Sequence, residues 1–180
     1  MPLTTYTAGE VLTAASLNAN FTFAALGKVG QVQSTVLTST FTTTSSTYTG
    51  VTGLTVAITP SSATSKVLVI AQISYAMGSS VGYGFFKLSG GNSGNYVGDA
   101  AGSRVQTVFG GYSNVNANEL IMPGTIVYLD SPATTSATTY GVSVRIPSNG
   151  AVSINRTGLD SNDVLNGRGA SSITVLEVLA

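Results

Sequence analysis

Seven carboxylates carry most of the acid–base chemistry open to this 180-residue chain, because it contains no His and no Cys. A Ser-His-Asp or Cys-His nucleophile, a thiolate metal site, a disulfide framework and a histidine pH switch are thereby excluded. The tightest carboxylate pair is Asp160 and Asp163, three positions apart in the loop Gly158-Leu-Asp-Ser-Asn-Asp163. Such a loop offers oxygens of the kind calcium takes, but calcium collects six to eight of them. The spacing matches no EF-hand, so no metal or other cofactor is assigned. Asp99, Glu119 and Asp130 stand singly. A glycosidase needs two carboxyls ~5 to 10 Å apart across a cleft, which spacing along the chain does not supply. The expectation is a protein that is not an enzyme.

Glu177 is a different case, lying in the apolar run Ile173-Thr-Val-Leu-Glu-Val-Leu179. A carboxylate among such neighbours needs a partner, since an unpaired buried charge is strongly unfavourable. The sequence predicts an Arg or Lys partner from this subunit or an adjacent one. Recognition chemistry is offered by aromatic and amide groups together. Tyr96 lies near Asn92 and Asn95, and Tyr112 near Asn114 and Asn116. A ring beneath a sugar and amides at its hydroxyls make a glycan contact, with Tyr96, Tyr112 and Asn114 as candidates and ordinary loop residues as the alternative. The surrounding stretch Leu88 to Gly102 is rich in Gly but lacks the Lys-Ser/Thr of a phosphate-binding loop, and reads as a long flexible loop.

The elements that would hold these residues are built with little charge. Seven basic and seven acidic residues give a net charge of zero, against 48 Ser and Thr. The basic residues are scattered singly, which argues against a nucleic-acid partner. No apolar run approaches the ~18 residues of a membrane helix, and the first ten residues have no basic region of a secretion signal. Neither membrane insertion nor secretion is expected. Few charges leave a surface that neither repels its copies nor stays strongly solvated, so much of it should be covered by copies of itself or by a larger particle.

Residues 1–30 read as an N-terminal arm. Ala14, Leu17, Phe21 and Ala24 recur at helical spacing and Gly27 follows as a stop. Thr13 is the favoured cap; Thr7 with Glu10 as a capping box is the alternative. A helix this short is marginal alone and must pack on something, either its own domain or a neighbour. Residues 31–180 show no helical period. Short runs rich in Val, Ile, Thr and Tyr alternate with turn clusters, the pattern of an all-β, antiparallel jelly-roll β-sandwich. Leu54 to Thr59 and Thr139 to Ile146 alternate, the latter with Tyr140, Val142, Val144 and Ile146 inward and Ser143 and Arg145 outward. Lys66 to Ser74 and Ser172 to Leu179 are apolar on both faces and need cover on both. Weaker strands are read at Gln31 to Thr43, Val81 to Leu88, Arg104 to Gly110, Glu119 to Ile121, Thr125 to Asp130 and Ala151 to Asn155. Met122-Pro-Gly124 is read among the turns between them.

Certain stretches carry a likeness. Tyr6-Thr-Ala-Gly-Glu-Val-Leu-Thr-Ala-Ala-Ser-Leu-Asn-Ala-Asn-Phe21 resembles the opening of tailed-bacteriophage tail-fibre and related virion proteins. Tyr48 to Pro60, Ser65 to Val69, Asp130 to Tyr140, Ile154 to Arg156 and Ser171 to Val178 look like a β-rich module of phage structural proteins. The ending Ser-Ser-Ile-Thr-Val-Leu-Glu is also similar to trimeric jelly rolls of the tumour-necrosis-factor and complement-type class. The resemblance implies a homotrimeric virion component, assembled in the host cytoplasm and joined to other tail or capsid proteins. A fibre or knob that contacts the host surface comes first, and a capsid decoration protein second. Leu12, Leu17, Phe21 and Phe23 are then the expected anchoring contacts, and Ile173, Val175 and Glu177 the expected trimer interface. A reading from another class is a carbohydrate-binding module on the same sandwich, with a host-surface glycan as partner.

Overall fold

The computed structural model describes residues 5–11, 13–25, 28–78, 82–113, 120–147 and 150–180, with the main chain alone at 19, 21–25 and 113. Helix α1 spans Ala14–Ala25. It starts at the expected cap, where Thr13 Oγ1 accepts a hydrogen bond from the Ser16 N–H at 3.2 Å. The alternative box also forms, with the Glu10 carboxylate accepting from the Thr7 N–H at 3.0 Å. Glu10 N–H returns to the Thr7 carbonyl at 3.1 Å, so those residues close a turn and open no helix. None of the described side chains of α1 is buried.

Ten strands follow among the described residues: β1 Val29–Leu37, β2 Phe41–Thr43, β3 Thr49–Ile58, β4 Lys66–Met77, β5 Gly82–Ser89, β6 Phe109–Ser113, β7 Met122–Asp130, β8 Thr138–Arg145, β9 Val152–Ile154 and β10 Ser171–Val178. They form two antiparallel sheets. In one, β10 lies between β1 and β4, β7 flanks the other side of β4, and β9 and β2 extend the path past the end of β10. The other runs β3-β8-β5-β6. The pairing is nested: β1 with β10, β2 with β9, β3 with β8, β4 with β7, β5 with β6.

Strict alternation places one face of each sheet in a shared core. Val67, Val69, Ala71 and Ile73 of β4, with Ile126, Ile173 and Val175, meet Leu54, Val56, Ile58, Phe86, Leu88, Tyr140, Val142 and Val144. Burying each larger aliphatic side chain contributes about 1.5 to 3 kcal/mol. At one end Phe86 stacks on Phe109 with centroids 4.7 Å apart, and Tyr75 tilts against Phe86 at 4.7 Å.

Several boundaries differ from the sequence reading, each for a visible reason. The run from 31 to 43 is two strands, because the buried Asn155 amide donates to the carbonyls of Leu37 at 2.7 Å and Ser39 at 2.9 Å and draws the chain out of its ladder there. The strand read at Arg104 to Gly110 begins at Phe109 instead; upstream, Thr107 Oγ1 is bonded to the Phe86 and Phe109 carbonyls. Its glycines mimic a turn in sequence, but the Phe85 ring covers Gly110 and the Tyr75 ring covers Gly111. Met122-Pro-Gly124 lies inside β7. Proline is tolerated there because β7 pairs only with β4 and is an edge strand. The glycine-rich loop is pinned: Ser93 is buried in a single 3-10 turn, and the Asn92 side chain donates to the Ser131 carbonyl at 2.6 Å.

Candidate functional site

The arrangement of the chemistry-bearing residues follows from which face of a strand each occupies. Glu177, on β10, points inward and is 1% exposed. Its partners are not the expected cation. Oε1 accepts from the Ser61 N–H at 2.7 Å and from Ser61 Oγ at 2.6 Å, and Oε2 from Gln31 Nε2 at 2.8 Å. Burial pushes this carboxyl up, but the donors from Ser61 and Gln31 outweigh it and the pKa is lowered to about 2. Ile173 and Val175, on the same face, are fully buried within the single chain. These three residues therefore hold the sandwich together from inside, and the side chains that β10 turns outward are Ser172, Thr174, Leu176 and Val178.

Asp130 is also buried without a cation. Its Oδ2 accepts from the Tyr140 hydroxyl at 2.6 Å and the Asn92 N–H at 3.1 Å, while Oδ1 has no hydrogen-bond partner. Burial, and then the bond to Asp130, hold the Tyr140 hydroxyl well above its ordinary pKa. Asp160 is engaged by Arg168 at 2.8 Å and Arg156 at 3.4 Å, and Asp163 Oδ1 accepts from the Leu165 N–H. The structure thus gives Asp160 and Asp163 separate partners within their own loop. No group of three metal-ligating side chains occurs among the described residues.

Of the two tyrosines suggested for glycan contact, Tyr96 lies in the loop between β5 and β6, and Tyr112 on β6 itself. Tyr96 stacks on Tyr128 of β7, centroids 4.7 Å apart and rings 16° from parallel, beside a shallow cavity of about 200 Å³ lined by Tyr96, Val97, Gly98, Thr107 and Val108. Tyr112 is exposed on β6 and meets Tyr83 of β5 at 4.9 Å. Asn114 and Leu12 lie outside the described residues, as do the side chains of Phe21 and Phe23; Leu17 is exposed.

Two outer faces emerge that no single motif announces. The first belongs to β1, β10, β4 and β7. Its cross-strand rows are Val32–Leu176–Leu68–Leu129, then Ser34–Thr174–Ile70–Val127. Val32, Val36, Ile70, Val127 and Leu129 are exposed there, and the one charge at an outward position of these strands is Lys66, at the end. The second is the outer face of β3-β8-β5-β6. Alternation along Gly82-Tyr-Gly-Phe-Phe-Lys-Leu88 sets Tyr83, Phe85 and Lys87 outward, and Arg145 of β8 lies directly across from Phe85. Tyr48 reaches over this face. Lys87 Nζ sits 4.4 Å and Arg145 Cζ 5.7 Å from its ring centroid, and its hydroxyl donates to the Gln106 carbonyl at 2.8 Å. Period-two alternation in the sequence was the available signal for Tyr83 and Lys87.

No family model and no curated protein matches the chain. Among solved structures it is similar to the tripod (BppUct-A-L) from the baseplate of bacteriophage Tuc2009, with 14% identity over 100% of this chain and 99% of that one and a TM-score of 0.36. It is also similar to the infectious bursal disease virus VP2 subviral particle, with 11% identity over 83% of this chain and 41% of that one and a TM-score of 0.31. The T=1 particles derived from infectious bursal virus follow, at 13% identity, 84% and 37% coverage and a TM-score of 0.30. These are remote likenesses of β architecture and assign the chain to no family.

Proposed function

We propose that the protein is a non-enzymatic structural component of a tailed-bacteriophage virion, a homotrimeric fibre or knob whose residues 1–30 join it to the particle. The observation that carries this reading is the apolar outer face of β1-β10-β4-β7. A soluble monomer gains nothing by exposing Val32, Val36, Ile70, Val127 and Leu129 on one surface. The face has no charge at its centre, so copies meet there without desolvating ions. Closing a ring with it also hides the edge of β1 or β7. The nested strand pairing supports reading the sandwich as a jelly roll. Helix α1, capped yet exposed, supports an arm that packs on a neighbour. The absence of His and Cys, with Asp130, Asp160, Asp163 and Glu177 bound within the fold, supports a role without catalysis.

Mass in solution tests the oligomer: light scattering at micromolar concentration should give three times the chain mass, and a monodisperse monomer contradicts it. Deletion of residues 1–26 tests the arm. The truncated protein should fold and fail to enter particles, and normal incorporation refutes the anchor. Labelling particles distinguishes a fibre on the tail from a decoration protein on the head.

A further inference from the structure

The outer face of β3-β8-β5-β6 combines exposed rings with positive charge that no carboxylate among the described residues balances. None of these four strands contains Asp or Glu. Lys87 and Arg145 both point outward from them, in a chain whose net charge is zero. The ion pairs among the described residues are those of Asp160 with Arg156 and Arg168, so neither cation of this face has a carboxylate. The Tyr48 ring holds both heads in place, and the buried Arg145 Nε has no acceptor among the described residues.

Next to the cations runs an aromatic strip. Outward residues on one strand repeat every ~7 Å, so Tyr83, Phe85 and Lys87 form a line, with Arg145 beside Phe85 and Tyr112 beside Tyr83. Tyr83 and Tyr112 are both about half exposed, and their rings are tilted by 41°. Gly110 keeps the strip low beside Phe85, since a side chain there would strike the ring at 2.8 Å.

We infer that this face binds an acidic saccharide, a polymer of uronic acid rings. The sugar rings lie on Tyr83 and Tyr112, and their carboxylates reach Arg145 and Lys87. Rings with apolar faces suit tyrosine platforms, as hydroxyl-bearing substituents suit the neighbouring Ser89. An acidic peptide would satisfy the cations but has no use for the strip of rings. The inference does not depend on the virion reading or on the trimer, because every residue involved belongs to one chain.

The test is titration of the full-length protein at low salt with a galacturonate hexasaccharide, and with its methyl ester, which keeps the rings and removes the charge. The acid form should bind, and the ester should bind at least about tenfold more weakly. Arg145→Gln and Tyr83→Ala should each weaken binding by about tenfold or more, with thermal unfolding used to confirm that both variants fold. Arg168→Gln, which removes a cation elsewhere, should leave binding unchanged. Absence of binding, equal binding of the ester, or equal binding of a glutamate oligopeptide would each overturn the inference. So would undiminished binding by both folded variants.

Discussion

Glu177 shows how a charge can be kept inside an apolar sheet without a counter-ion. Three donors from Ser61 and Gln31 replace the expected cation, and they favour the ionised form strongly enough to lower the pKa from 4.5 to about 2. Between those two values the unfolded chain binds the proton and the folded one does not, so stability is complete above about pH 4.5 and is lost as pH falls toward 2. The upper bound on that loss is about 3 kcal/mol. Urea midpoints measured from neutral pH downward should fall through this window, and Glu177→Gln should be less stable at neutral pH and show a flatter acid limb. Asp130 makes the complementary case. Tyr140→Phe should cost about 1 to 3 kcal/mol in thermal or urea unfolding, because it leaves a buried carboxylate with the Asn92 N–H as its one remaining donor. The sequence disclosed that Glu177 would be buried, since apolar neighbours flank it. It could not disclose the partners, because Gln31 is 146 positions away and Ser61 116.

Strands were legible wherever alternation was strong. Leu54, Val56 and Ile58 of β3 and Tyr140, Val142 and Val144 of β8 point inward as their pattern requires, and Thr13 caps α1 as its side chain suggests. The reading failed where a long-range contact overrode local signals. Gly111 and Pro123 are turn residues by type, yet they lie in β6 and β7 because the Tyr75 ring of β4 occupies the space above Gly111 and because β7 is an edge. Gly111→Ala is therefore expected to destabilise by about 1 to 3 kcal/mol, read from the shift in thermal midpoint, since its methyl would lie 2.6 Å from the Tyr75 hydroxyl. Asn155 illustrates the same limit. In sequence it is only the last residue of a weak strand, whereas in the fold Asn155 is fully buried with φ of 62° and bridges Leu37, Ser39 and Ser171.

Among the described strands, outward-facing charge is placed by sheet. The β1-β10-β4-β7 face has an apolar exterior with a single lysine at its end, and the β3-β8-β5-β6 face has cations and rings. If the first face joins subunits, Leu129→Lys should yield a folded monomer by light scattering, because Leu129 is already exposed within one chain and its replacement disturbs no core. An interface lacking central charges should also persist in high salt, where screened ion pairs would weaken. The nested pairing has a further consequence, in time. β1 waits for β10, which follows the other described strands in sequence, and β10 then lies between β1 and β4. Pairings of such long sequence separation fold slowly, over milliseconds to seconds. A nascent chain accordingly has no β1-β10-β4-β7 surface until translation has passed Val178. A chain cut short before β10 leaves β1 and β4 unbridged and has no such surface to present.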